Sequence, residues 1–180
     1  FSLGIPGAEQ RLVELMANPK NDVREIVGRL LLDAPVTPAL EPVLWQLAGA
    51  GRLEDRLAVL ARLATTRGDA RTLARWHAFA RDPEKAVRQK ALAALVQLDP
   101  AGSVDLFVEQ LPLADYATQQ ALVEALTRAS RGQGIAFAER ILPLMAAGDA
   151  GTRSAVLKIL LGMENRRELV RRYIALSKTL

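Results

Sequence analysis

Arginine recurs at regular intervals along the chain, at Arg24, Arg56, Arg88 and Arg153, with Gln119 in the fourth place. A guanidinium carries five donors in a fixed fork and keeps its charge at any physiological pH. Such a column either satisfies carbonyls and carboxylates inside the fold or holds an anion such as a phosphate. Between residues 52 and 90 the basic groups Arg52, Arg56, Arg62, Arg67, Arg71, Arg75, Arg81, Lys85, Arg88 and Lys90 outnumber Glu54, Asp55, Asp69, Asp82 and Glu84 by two to one. Arg166, Arg167, Arg171, Arg172 and Lys178 form a second basic cluster with only Glu168 among them. Zones of this kind favour anionic partners through steering and counterion release. The candidate binding surface is therefore Arg56, Arg62, Arg71, Arg75, Arg81, Lys85 and Lys90. Against that, Arg71 and Arg75 fall on the helix face opposite Leu73 and Trp76, where a solvated surface accounts for them. No row of aromatics interleaves with the basic groups to stack bases.

Other chemistry is thinly provided. There is no cysteine, which excludes disulfides, thiolate zinc sites and a cysteine nucleophile. The single histidine, His77, lies on an apolar stripe beside Trp76, so it reads as a core-edge histidine with one nitrogen satisfied. No Ser/His/Asp set with a nucleophile turn, no Gly-Lys-Ser/Thr phosphate loop and no His-x-x-x-His metal spacing occurs. No catalytic, cofactor-binding or metal-binding residue is assigned, and the chain is expected to be non-enzymatic and to need no cofactor.

The elements that must carry these residues are helices. The 180 residues are 50% hydrophobic and 4% aromatic, with Ala and Leu prominent and a formal net charge of +4. That mixture suits closely packed helices and lacks the β-branched and aromatic enrichment of sheets. Asn18-Pro19-Lys20-Asn21-Asp22-Val23-Arg24 returns as Asp82-Pro83-Glu84-Lys85-Ala86-Val87-Arg88, and Arg56, Val59 and Leu63 stand midway in matching columns. The unit is thus about 32 residues, with further copies at Gln119, Leu122 and Leu126 and at Arg153, Val156 and Leu160. Between these runs lie others with one apolar face, including Leu40, Val43, Leu44 and Leu47, then Leu73, Trp76, His77 and Ala80, then Val104, Phe107, Val108 and Leu111. Glycine and proline punctuate the joins. The spacing predicts helices near 7–17, 21–32, 38–49, 53–65, 70–80, 84–97, 102–112, 115–130, 135–146, 151–162 and 166–178. One such pair cannot bury its stripe alone, so about five hairpins are expected to stack into an α-solenoid, with a C-terminal helix after them. Leu31, Leu63, Leu95, Leu126 and Leu160 share one column and should all be buried.

The run from Asp82 to Leu95 resembles the second-helix signature of HEAT repeats, whose bacterial variants often read D-P-x-x-x-V-R-x-x-A-x-x-A-L; Asn18 to Leu31 is a looser copy. The resemblance implies a right-handed superhelix, one repeat domain over 1–180, and a concave face formed by the second helices. It implies a ladder in which Asp82 and Arg88 bond the turns of neighbouring repeats, and likewise Asn18 and Arg24, with Asp115 and Gln119 and Asp149 and Arg153 as shorter-spaced counterparts. The implied function is a scaffold for a protein partner or another domain of the same polypeptide. The alternative is a nucleic-acid-binding solenoid using the basic zone. Its enzymatic extreme is the HEAT-like alkylpurine DNA glycosylases, which place a carboxylate, an arginine and indoles around a damaged nucleotide. Trp45 and Trp76 invite that comparison, but Trp76 falls on a core stripe, Trp45 is expected at the outer face, and Asp55 stands at a helix start. HEAT-like di-iron enzymes need His-Glu pairs, which a chain with one histidine lacks. A piece of a longer polypeptide in a bacterial cytoplasm, with no membrane span, is the expected setting.

Overall fold

Runs of alanine, leucine, arginine and glutamate favour helix because their side chains lose little freedom there, and glycine and proline between the runs stop it. In a computed structural model these runs are helical throughout the residues that the structure describes, which are 8–16, 21–34, 36–66, 69–131, 134–163, 167–168, 171 and 174. The side chain of Arg24, residues Asn18, Arg67, Arg166, Arg172 and Lys178, and most of the helix expected at 166–178 lie outside that set. Among the described residues there is no strand. The elements are α1 (Ala8–Met16), α2 (Asn21–Asp33), α3 (Glu41–Ala50), α4 (Leu53–Leu63), α5 (Ala70–Phe79), α6 (Lys85–Leu98), α7 (Val104–Gln110) with a 3-10 turn at Leu111–Leu113, α8 (Tyr116–Ala129), α9 (Gly134–Ile141), α10 (Pro143–Ala147) and α11 (Ala150–Leu161).

Two expected helices are divided. The run over 102–112 tightens into the 3-10 turn that contains Pro112, and the run over 135–146 breaks between α9 and α10 at Pro143. A proline inside a helix has no N–H to donate and its ring crowds the carbonyl four residues back, so the α ladder cannot pass through it unchanged. Leu142 still donates to Ala138 O, at 2.9 Å, immediately before the second break.

The chain clusters into two compact units, Phe1–Arg67 with Pro83–Lys90, and Gly68–Asp82 with Ala91–Leu180. In the first, α1 packs on α2, α3 on α4, and α2 on α4. In the second, α7 packs on α8, α9 and α11 pack on α10, and α8 packs on α11. Each unit thus pairs helices that are consecutive in sequence and then sets the second helix of one pair against that of the next.

The leucine column lies where expected: Leu31, Leu63, Leu95, Leu126 and Leu160 are each 0% exposed. Trp76 and Phe107 on the first helices are also fully buried. Trp45 corrects the expectation of an outer-face indole. It is buried together with Val43, Leu44 and Ala48, and its Nε1 donates to Glu41 Oε1 at 3.0 Å. Its helix is apolar on more than one side, so a single stripe underestimates what it buries, and a local carboxylate supplies the acceptor that a buried indole needs.

Leu95→Ala should cost about 2–5 kcal/mol, the range for truncating a fully buried leucine where neighbours cannot collapse into the space. Chemical denaturation checks it, and a loss below about 0.5 kcal/mol would place Leu95 on the surface and break the register.

Candidate functional site

The last carbonyls of a helix have no intrahelical partner, and a sharp turn into the next helix leaves them facing the new helix's first side chains. The Arg/Gln column stands there. Arg56 Nε donates to Ala48 O at 2.7 Å, across the turn from α4 to the end of α3. Gln119 Nε2 makes the same eight-residue reach to Leu111 O at 3.1 Å. Arg88 Nη1 donates to Pro83 O at 2.7 Å and Arg153 Nη1 to Gly148 O at 2.8 Å, both five residues back. Four members of the column therefore hold the turn of their own hairpin. For Arg88 the bond to Pro83 O lies inside its own turn.

Gln119 shows which property the column uses. It is only 8% exposed and carries no charge, yet it makes the carbonyl bond that Arg56 makes. Donation is the shared requirement. A row selected to bind phosphate would lose most of its purpose at a buried neutral amide.

A bond from one pair to the previous one does exist, at a residue expected on the binding surface. Arg62 Nη1 donates to Leu31 O at 2.8 Å and also to Leu32 O, tying α4 to the C-terminal carbonyls of α2. Arg81 is engaged as well: its Nε and Nη2 grip both carboxylate oxygens of Glu109 at 3.1 and 2.5 Å. The hydrogen bond from Arg81 holds the Glu109 carboxyl below its ordinary range and raises the Arg81 guanidinium above its own. Arg140 pairs with Asp105 on the same helix as Glu109. Both pairs are exposed, where such contacts contribute at most about 1 kcal/mol.

Of the remaining candidates, Arg71, Lys85 and Lys90 are exposed and Arg75 is half-buried. Arg71 and Arg75 belong to the second unit, and Lys85 and Lys90 to the first. His77 behaves as expected, half-buried with Nε2 3.1 Å from the hydroxyl of the fully buried Ser103. Among the described residues no group of three or more His, Asp or Glu is placed to hold a metal ion, and no helix is long and apolar enough to cross a membrane.

Two features escaped the sequence reading. Asp115 and Asp149 serve as helix N-caps: their carboxylates accept from Thr118 N at 2.9 Å and Thr152 N at 2.7 Å, and Asp69 does the same for Thr72 N at 2.7 Å. The repeated Asp-x-x-Thr was a legible signal for this. The second is a groove of about 210 Å³ in the second unit, between α6 and α8, lined by Leu92, Ala93, Val96, Ala117, Thr118, Ala121 and Leu122. Its walls are apolar and lie on two second helices. Alanines at the facing positions leave the space open.

No protein-family model and no curated protein matches the sequence. Among solved structures, the crystal structure of an engineered protein is similar, with a TM-score of 0.48 and 18% identity over 93% of this chain and 86% of that one. At that distance the likeness says nothing of function.

Hydrogen bonds from the Thr72 and Thr152 backbone hold the Asp69 and Asp149 carboxyls below their usual range, as the Arg81 bond does for Glu109. A carboxyl with a depressed folded-state value stabilises the fold above its unfolded value, about 4, and loses that contribution as pH falls through the folded value. The melting temperature should accordingly fall on acidification below about pH 4, and a constant value from about pH 5 to 2.5 would contradict this. Asp115→Ala should cost about 1 kcal/mol and Asp115→Ser much less, because a serine still caps.

Proposed function

We propose that the chain is a non-enzymatic interaction module, a right-handed HEAT-like α-solenoid whose second helices face a protein partner or another domain of the same polypeptide. Support comes from the order of packing, in which consecutive helices pair and second helices adjoin, as nearest-neighbour stacking requires. The observation that carries the functional part is the employment of the charged column. Arg56, Arg88, Gln119 and Arg153 are bonded to backbone carbonyls, while the recess on the second helices is apolar. A recess of that kind suits the apolar side chain of a partner, which gains by leaving water. The resemblance to bacterial HEAT repeats adds a bacterial cytoplasmic setting to the proposal.

Nucleic-acid binding is the second reading, favoured by the exposure of Arg71, Lys85 and Lys90. Phosphate-driven association weakens steeply with salt, whereas apolar docking does not. Cross-linked capture of a partner on the purified chain should therefore survive salt. It should be lost in Ala93→Glu/Ala121→Glu, which puts charge into the groove, and be kept in Lys85→Glu/Lys90→Glu. Capture lost only in the lysine variant, together with binding of a short DNA duplex that falls steeply between about 50 and 200 mM salt, would favour the nucleic-acid reading.

A further inference from the structure

On three second helices, α4, α8 and α11, one side meets the second helix before it. On α4, Arg62 donates to Leu31 O and Leu32 O of α2. On α8, Ala117 and Ala121 form the groove wall opposite Ala93 and Val96 of α6. On α11, Lys158 Nζ reaches Gln120 Oε1 of α8 at 3.3 Å, and a Cβ added at Gly162 would stand 2.6 Å from Thr127 Cγ2. On the same helix, Ala155 and Ile159 are 2% and 0% exposed. Arg62 stands six residues after Arg56 and Ala121 two after Gln119, the same two positions that Ala155 and Ile159 hold after Arg153.

On α2 the same two positions are Ile26 and Leu30, and they are 62% and 56% exposed. The downstream side of α2 is covered, because α2 packs on α4 and a Cβ at Gly28 would touch the Leu47 side chain at 3.8 Å. In the other pairs the upstream positions that contact water carry alanine or a charged group, as at Ala121 and Lys90. Among the described residues, only α2 carries two branched aliphatics, one turn apart, exposed at these positions. The partner helix is under-covered too: Leu12, Val13, Leu15 and Met16 of α1 are all half-buried and none is fully buried. A single helix laid on α2 would leave that second deficit, whereas a hairpin covers both.

We infer that the upstream face of α1 and α2 is an open repeat joint, built to take a further helical hairpin of this same repeat type, ahead of α1 in the polypeptide, with its second helix against Ile26 and Leu30. The inference rests on the hairpin-stack reading proposed above, and it predicts what seats on the face from the joints at which Arg62 and Ala121 meet the preceding second helix. A terminal repeat made to face water would carry polar groups at these positions.

The test duplicates segment 8–39 ahead of residue 8, one period upstream, and introduces Ile26→Glu/Leu30→Glu at the original positions in both the extended and the unextended chain. In the unextended chain the glutamates should leave the melting temperature unchanged, since both side chains already face water. The extension alone should raise it by at least about 3 °C, and the glutamates should erase that gain. A clear loss of stability in the unextended double variant means the face is already covered and overturns the joint, while leaving the stacking of the other pairs intact. An extension that gives no gain, or that melts as a separate species, overturns it as well. Amide exchange distinguishes failure of the stack itself: fast exchange throughout α8 and α11 would remove the reading on which the joint rests.

Discussion

Each hairpin in this chain must reverse direction within a few residues without stranding the carbonyls at the end of its first helix. That constraint organises the rest. A side-chain donor at a fixed position early in the second helix answers it: Arg56 bonds Ala48 O, Gln119 bonds Leu111 O and Arg153 bonds Gly148 O at the end of the first helix, and Arg88 bonds Pro83 O within the turn. With the turn held, the second helix starts in a set rotational phase. The column residue's position then places Leu63, Leu95, Leu126 and Leu160 in the core. Donor and core leucine are two consequences of one phase.

Hydrophobic burial supplies most of the stabilisation, and the polar contacts decide which arrangement it stabilises. The exposed pairs of Arg81 with Glu109 and Arg140 with Asp105 add little, being screened by water. The bonds from half-buried or buried donors to carbonyls matter more, because a carbonyl left without a partner loses its water and gains nothing in return. Arg62 belongs to this second group. A basic zone that looks uniform in sequence thus divides into Arg56, Arg62 and Arg88, bonded to backbone carbonyls, and others such as Arg71, Lys85 and Lys90 that are exposed.

How far the sequence could be read follows the same division. Helices and the buried leucine column were legible because apolar period and helix phase are local, and the core must agree with them in every pair. His77 was legible for the same reason. Arg62 and Arg81 were not, because their partners lie about 30 residues away and nothing in a single helix points to them. Trp45 was misplaced because a helix covered on two sides has no single stripe. Pro112 and Pro143 were visible in the sequence, and their effect on helix continuity follows from proline's missing N–H. The groove between α6 and α8 depends on how three alanines come to face one another, which no spacing rule encodes.

The most direct measurement of the central claim compares Arg56→Gln with Arg56→Ala by thermal and denaturant melts. Gln119 already makes the eight-residue bond to a first-helix carbonyl with a neutral amide. If donation is what the column supplies, Arg56→Gln should keep most of the stability while Arg56→Ala loses about 1–3 kcal/mol, the scale of a hydrogen bond from a charged group to a carbonyl left unpaired. If both variants melt like the wild type while binding of a short DNA duplex weakens and becomes less salt-sensitive in each, the column serves an anion and the account is wrong.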